Sequence, residues 1–344
     1  FHLSQLEGEN LQLHMLLNKE AGFVGMLGQC SEMNSIFETI QKVATTDATV
    51  MVTGESGTGK ELVARAVHEK SGRNSGPFIA INCGAIPEEL LESELFGHEK
   101  GAFTNAFAQQ KGKFEYAEKG TLFLDEIGEM STRLQAKLLR FLQERTMQRV
   151  GGRKDIEIDT RVIAATNIDL EAAMKDGSFR EDLYYRISVI SINIPPLRDR
   201  GADITLLASV FLDKYTAMFN KKIKGFSPEA LEALGNYTWP GNVRELENKL
   251  QKAVITADGV IIQPEDMGLD KESRANFSND RLKDRYAGIT LKEARKRLEM
   301  DLIGGVVERH RGNIKRAAEE LGVSRPTLYD LIDKYDLSTK ESDT

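Results

Sequence analysis

The stretch Gly54-Glu55-Ser56-Gly57-Thr58-Gly59-Lys60-Glu61 constrains the fold more than any other part of the chain. It follows the apolar run TVMVT (49–53) and precedes LVARAVH (62–68), whose apolar positions repeat at helical spacing. A strand, a glycine loop and a helix in that order set backbone N–H groups ahead of a helix N-terminus, where the helix dipole adds positive potential. Such a loop cradles phosphate oxygens, and Lys60 supplies a cation for the outer ones. A chance glycine-rich turn is the bland alternative, and the flanking strand and helix argue against it. The last position holds Glu61, where this kind of loop usually offers a Ser or Thr hydroxyl to magnesium, so another group must hold the metal.

Leu122-Phe123-Leu124-Asp125-Glu126 provides one: an apolar strand ending in two carboxylates. Asp125 would bind Mg²⁺, directly or through water, and Glu126 would orient and polarise an attacking water. By itself the pair reads as well as a helix cap and a surface charge. Joined to the phosphate loop, it reads as a hydrolytic site.

The apolar runs 49–54, 77–83, 120–126, 159–167 and 187–195 are rich in β-branched residues and end in Gly, Asp, Asn or Pro. They suit buried parallel strands, and the stretches between them are long enough for crossover helices. Residues 21–195 are therefore expected to form an α/β unit. From 196 to 269 the spacing turns helical, with Leu206, Leu207 and Val210 on one stripe. Ser227-Pro228-Glu229 is a helix start, and a further helix is expected over 242–257. Residues 270–289 are polar and read as a linker. Residues 1–20 place Leu3, Leu6, Leu13, Leu16 and Leu17 at helical spacings. They suit a linker helix following an upstream domain, or equally an ordinary terminal helix. No internal repeat or low-complexity tract interrupts the pattern.

Composition narrows the function classes. The chain has 344 residues, 40% of them hydrophobic, enough for two or three domains with real cores. No 18-residue apolar run exists to cross a membrane, and the charged 1–20 segment is not a signal peptide. The two cysteines, Cys30 and Cys83, point to a reducing compartment, expected to be the bacterial cytoplasm, and no Cys or His pair has metal-site spacing. The net charge of −7 is uneven. Residues 290–335 hold ten Lys/Arg against eight Asp/Glu, while the rest hold 36 against 45. A mildly basic end on an acidic body suggests a DNA-binding appendage.

That end, 290–337 ahead of a short tail at 338–344, opens on the capping box Thr290-Leu291-Lys292-Glu293. Leu291, Ala294, Leu298, Leu302 and Val306 form a stripe suited to dimerisation, and a dimer would read a palindromic site. Ile314–Leu321, Gly322-Val323-Ser324 and Arg325–Tyr335 follow as helix, short turn and helix, which is helix-turn-helix spacing. Ser324 would cap the second helix, Arg325 and Thr327 would reach base edges or phosphates from its start, and Lys315 and Arg316 would touch phosphate. Asp330 and Asp333 lie where a DNA-facing helix favours bases, and a small protein-binding bundle is the alternative.

GESGTGKE, ELFGHEKGAFTNA, GTLFLDE, FREDLYYR and WPGNVREL, in this order from about Val24 to Gly268, resemble the AAA+ domain of the sigma-54-dependent transcription activators, the NtrC-like bacterial enhancer-binding proteins. The helix-turn-helix resembles their terminal Fis-type domain. The resemblance implies a parallel-sheet AAA+ P-loop ATPase with an α-helical lid, followed by an all-α DNA-binding domain. It implies ATP and Mg²⁺, an upstream palindromic DNA site, sigma-54 RNA polymerase as partner, and a dimer assembling to a hexameric ring. Control through an upstream receiver domain is a further expectation. Glu61 is usual in this family.

Residue by residue, Asn167 resembles the sensor of the terminal phosphate, and Asn82 the partner that restrains the catalytic Glu. Arg180 and Arg186, six apart on an expected helix, resemble arginine fingers acting on a neighbouring subunit; a solvated charge pair is their plain alternative. Arg244 resembles the lid residue that contacts nucleotide in cis, and Val24 and Gly25 the adenine-side contact. The loop from Phe96 to Gln110 resembles the sigma-gripping loop, with Phe103 and Thr104 at its tip, and a second loop near 146–152 would move with it. Here Gly101-Ala102-Phe103-Thr104-Asn105-Ala106 replaces the family's GAFTGA. Asn tolerates a positive φ better than other non-glycine residues, so engagement of sigma-54 is expected to persist. The alternatives are a DNA-binding AAA+ regulator that no longer engages sigma-54, an ATPase remodelling another protein, and a non-enzymatic repressor.

Overall fold

The computed structural model describes residues 25–104, 106–269 and 314–335, together with 293, 295, 296, 300, 303, 306, 307 and 310. The expected linker helix at 1–20, the linker at 270–289, the tail at 338–344, Val24 and Asn105 fall outside them. The chain divides into two compact units, Phe1–Asp270 and Lys271–Thr344.

The first unit is built on five parallel strands, β1 (Val50–Thr53), β2 (Phe78–Asn82), β5 (Thr121–Asp125), β8 (Arg161–Thr166) and β9 (Ile190–Asn193), in spatial order β2-β5-β8-β1-β9. Each coincides with one of the apolar runs. The runs read as continuous because the central strands are covered on both faces. Val50, Val52, Ile163 and Ala165 pack on one side with α1 (Ser31–Ala44) and α2 (Lys60–Glu69). Met51, Leu122, Leu124, Val162 and Ala164 pack on the other side with α3 (Glu88–Phe96) and α5 (Thr132–Glu144). Two two-residue hairpins, β3/β4 (Gly97–His98 with Gln110–Lys111) and β6/β7 (Thr146–Met147 with Ile156–Glu157), stand outside this sheet. Short helices α4 (Lys113–Tyr116), α6 (Leu170–Lys175) and α7 (Glu181–Ile187) complete the layer.

Strand order decides where the site lies. β8 pairs with β1 on one side and β5 on the other, so the residue after β8 falls between the ends of those two strands. All five strands end at the same edge, where parallel α/β sheets bind their ligands.

The lid joins the same unit: α8 (Asp203–Met218), α9 (Pro228–Asn236) and α10 (Asn242–Thr256). Ser227 caps α9, its hydroxyl accepting from the Ala230 amide at 3.1 Å. Trp239 is 0% exposed at the centre of the lid core and donates Nε1–H to the Leu234 carbonyl at 2.9 Å. A buried indole of this kind is worth about 3–5 kcal/mol against truncation to alanine.

In the second unit α11 (Ile314–Glu320) and α12 (Arg325–Lys334) enclose a small core of Ile303, Val306, Ala317, Ala318, Leu328, Ile332 and Tyr335. Gly322 takes φ +65° in the turn, a conformation that favours glycine, and the Val323 amide closes onto the Ala318 carbonyl. Val306 is spent inside this core, which corrects its assignment to a dimerising stripe. The other four stripe residues lie outside the described ones.

Candidate nucleotide site and loop pair

The loop from Gly54 to Gly59 turns on three positive-φ glycines: Gly54 (+151°), Gly57 (+78°) and Gly59 (+103°). At Gly57 the constraint is also steric, because a Cβ there would stand 2.3 Å from the Gly241 carbonyl oxygen. Lys60, 8% exposed, donates to the Gly54 and Glu55 carbonyls at 2.8 and 3.0 Å. Burial lowers its pKa from the ordinary value, and Asp125 and Glu126 oppose that while Arg244 reinforces it.

Asp125 ends β5, half-buried, and burial raises its carboxyl above the usual range against the pull of Lys60. Glu126 turns at once into the left-handed region (φ 53°), which costs a non-glycine residue about 1–2 kcal/mol. The turn brings its carboxylate against Gly84, where an added Cβ would lie 2.5 Å from Glu126 Oε2. Asn82 is the register partner of Asp125, and its amide oxygen accepts from the Gly84 and Ala85 amides, both at 2.9 Å. Asn82 thus flanks the same glycine as Glu126, with its amide oxygen engaged by the loop amides. Asn167 follows β8, exposed, between the phosphate loop and the two carboxylates.

The residues present suit a magnesium ion. Glu61 is held by Arg65 at 2.7 Å, and the Thr58 hydroxyl donates to the Glu55 carbonyl, which leaves Asp125 as the carboxylate facing the loop. Among the described residues no group of three or more His, Cys, Asp or Glu is placed to hold a metal ion. Mg²⁺ bound beside phosphates needs only one or two carboxylates, with water filling its other positions.

The lid docks directly onto the loop. Arg244 donates its amide to the Gly57 carbonyl at 3.3 Å, and its side chain is exposed. Asn242 and Arg198 bond Glu55, whose carboxyl is held down to about 2 chiefly by the Arg198 guanidinium, and Arg200 donates to the Thr58 carbonyl. These contacts were missed in the sequence reading. The only local signal was the LRDR cluster following the last strand. Gly25 (φ +84°), Met26, Leu62, Ile194, Leu207 and Val243 line an apolar cleft beside Gly59. Cys83 is buried beside the carboxylates, which pushes its thiol up to about 12, so it is no nucleophile.

Arg180 was expected on the helix with Arg186 but instead caps it, as the residue that precedes α7. It pairs with Asp182 at 2.7 Å and is exposed. Arg186 lies on α7 and donates to the Leu142 carbonyl at 3.1 Å.

The loop between β3 and β4 is stitched to the β6/β7 hairpin. Glu99 donates its amide to Val150, Val150 donates to Gly97, and Arg149 bonds both Glu99 and Glu115. Ala102 lies against Gly151, where an added Cβ would stand 2.8 Å from the alanine methyl. Gly101 donates to the Ala106 carbonyl and Ala106 to Phe103, closing the loop. Phe103 packs edge-on against His98 and is 40% exposed, whereas Phe107 is 80% exposed. The resemblance puts Phe103 and Thr104 at the tip, and both are exposed; Phe107 is the more exposed aromatic. The root of this loop is also braced: Glu92 on α3, 8% exposed, bonds Arg133 and Lys137 on α5.

In the second unit Ser324 caps α12, its hydroxyl accepting from the Thr327 amide at 3.2 Å and sharing a 2.7 Å bond with the Thr327 hydroxyl. Ser324 thus caps the helix as expected, and the Thr327 hydroxyl is engaged in that cap. Arg325 is exposed at the helix start, Arg316 is exposed on α11, and the Lys315 side chain lies outside what is described.

Phosphate loop, paired carboxylates, parallel sheet and helical lid together define an AAA+ P-loop ATPase domain. Comparison with known proteins narrows this. Residues 26–193 match the sigma-54 interaction domain profile, 198–283 the AAA+ ATPase lid domain, and 294–335 the Fis family of bacterial regulatory proteins. The chain is 48% identical over 335 residues to regulatory protein AtoC of Escherichia coli K12, covering 97% of this chain and 72% of AtoC. It is 44% identical over 340 residues to nitrogen fixation protein AnfA of Azotobacter vinelandii, covering 98% of this chain and 62% of AnfA. The crystal structure of NtrX from Brucella abortus in complex with ADP aligns at a TM-score of 0.68 and 33% identity, over 96% of this chain and 74% of NtrX. The chain belongs to the sigma-54-dependent transcriptional activators. Among its described residues no helix is long and apolar enough to cross a membrane.

Proposed function

We propose that this chain hydrolyses ATP in a ring and uses the cycle to remodel the closed complex of sigma-54 RNA polymerase from an upstream DNA site. The observation that carries the reading is the positive-φ glycine loop with buried Lys60 after it, at the sheet edge where β5 ends in Asp125 and Glu126 and where Arg244 docks on Gly57, in the same unit as two stitched surface loops with an exposed aromatic. The β- and γ-phosphates lie on the Gly54–Gly59 amides and Lys60, and the adenine lies in the apolar cleft by Gly25. Asp125 would hold Mg²⁺, and the ion would supply positive charge beside the phosphate oxygens. Glu126 accepts a proton from the attacking water, and Asn167 bonds the terminal phosphate. Arg180 and Arg186 have no contact with their own phosphate loop, which supports their acting on a neighbour's nucleotide. ATP-dependent open-complex formation on a sigma-54 promoter, set against a sigma-70 control, tests the reading; no dependence on either ATP or sigma-54 removes it.

Asn105 in place of glycine bears on the partner. Wild type is expected to bind sigma-54 in the presence of a transition-state analogue of ATP, and Asn105→Gly is expected not to bind less. No complex with wild type but a complex with Asn105→Gly would favour a DNA-binding regulator that no longer engages sigma-54.

DNA binding is assigned to α12. Arg325→Ala is expected to weaken operator binding about 10- to 100-fold and to leave ATP hydrolysis unchanged, because the arginine lies in the other compact unit. A salt titration of operator affinity in both proteins measures this, and identical titrations would move recognition off Arg325.

A further inference from the structure

We infer that Asn242 is the positioning residue that fixes the lid on the phosphate loop and so sets nucleotide affinity. The inference rests on the ATP-site reading above and extends it to a buried residue whose side chain bonds the loop and the lid.

Asn242 is 0% exposed and opens α10 in the left-handed conformation, φ +50°. Every polar atom of its side chain is used, on segments far apart in the chain. Oδ1 accepts from the Leu197 amide at 2.8 Å, at the start of the lid. Nδ2 donates to the Ser56 carbonyl at 3.0 Å and to Glu55 Oε2 at 3.1 Å, both in the phosphate loop. Its own amide donates to the Trp239 carbonyl, which ties the node to the lid core. One side chain thus joins loop, hinge segment and lid helix. Its neighbours along the helix complete the seat: the Gly241 carbonyl closes on Gly57, and Arg244 donates its amide to the Gly57 carbonyl.

A primary amide suits this seat. It presents two donors and one acceptor, and the seat offers two acceptors and one donor. An aspartate of the same shape would leave the Ser56 carbonyl without its donor and set a second carboxylate beside Glu55. A glycine would keep the left-handed backbone without strain but remove all three bonds. Loosening the seat displaces Arg244 and the Gly57 turn relative to the phosphates. It leaves Glu126, Asp125 and Asn82 untouched, because those stand on β2 and on β5 and the turn that follows it. The signature is accordingly a change in nucleotide binding rather than in the chemical step.

The test measures ATP affinity with a fluorescent analogue and steady-state hydrolysis in wild type, Asn242→Gly, Asn242→Asp and Lys60→Ala. Asn242→Gly is expected to raise Kd and KM about tenfold, with kcat within about threefold of wild type. Asn242→Asp is expected to weaken binding further, and adding Glu55→Gln to it should recover part of the loss, because the glutamine amide then donates to the new carboxylate. Thermal unfolding of each variant identifies any that fail to fold, and the isosteric aspartate carries the test if the glycine variant is one. Wild-type affinity in a folded Asn242→Gly or Asn242→Asp, with Lys60→Ala clearly weakened, overturns the positioning role. Equal affinity in wild type and Lys60→Ala would instead remove the ATP-site reading.

Discussion

Glu126→Gln is expected to bind ATP as wild type does and to turn it over about 10²- to 10⁴-fold more slowly, the span general-base removal commonly costs. The amide keeps the shape of the carboxylate and cannot accept the proton of the attacking water. Affinity should survive because in the proposed site the loop amides and Lys60, on which the lid docks, take up the phosphates without residue 126. The left-handed backbone at 126 aims the side chain at Gly84, and glutamine inherits that aim. The variant should therefore fail in chemistry and not in folding. Phosphate release and analogue binding, measured on one preparation, separate the two steps. Turnover at the wild-type rate would assign the base elsewhere, and loss of binding would mean that residue 126 shapes the loop. Asp125→Asn provides the contrast, since its effect should fall on the dependence on Mg²⁺ concentration.

What the sequence disclosed and what it withheld follow from the range of the interactions. The five parallel strands were legible because both faces of the sheet are covered, so their apolar runs are unbroken. The phosphate loop was legible because its glycines are demanded by local backbone geometry. The lid-to-loop contacts were not. Asn242 meets Glu55 across 187 residues and Arg198 meets it across 143, and neither pairing leaves a period or a local spacing. The two-residue hairpins that brace the surface loops are too short to show alternation. Arg180 was misplaced by one element boundary, since FREDLYYR reads as one helix until the Arg180 amide is seen to bond Gln135 rather than an earlier turn. Phe103 and Phe107 look alike in sequence, and only the packing of Phe103 on His98 separates them.

The second large effect is expected from Arg180→Ala: hydrolysis down about 10³-fold, the scale on which an arginine finger acts, with nucleotide affinity of isolated subunits unchanged. The guanidinium is exposed and, among the described residues, bonds only Asp182, with no bond to its own phosphate loop. Removing it therefore disturbs little of the fold, and its loss should matter only where a second subunit presents a nucleotide to it. Mixing makes the distinction. Arg180→Ala carries an intact loop, and Lys60→Ala carries an intact arginine. In a mixed ring some interfaces join the intact arginine of one to the intact loop of the other, and hydrolysis should return at intermediate ratios. An arginine acting within its own chain gives no recovery at any ratio, because every subunit then lacks one of the two groups. Sizing the mixtures by light scattering shows whether rings form, so failed assembly is told apart from a cis role. The same mixtures of Lys60→Ala with Arg186→Ala ask whether the second arginine does this work too. Its bond to the Leu142 carbonyl predicts a lower subunit melting temperature for Arg186→Ala, which Arg180→Ala should not share.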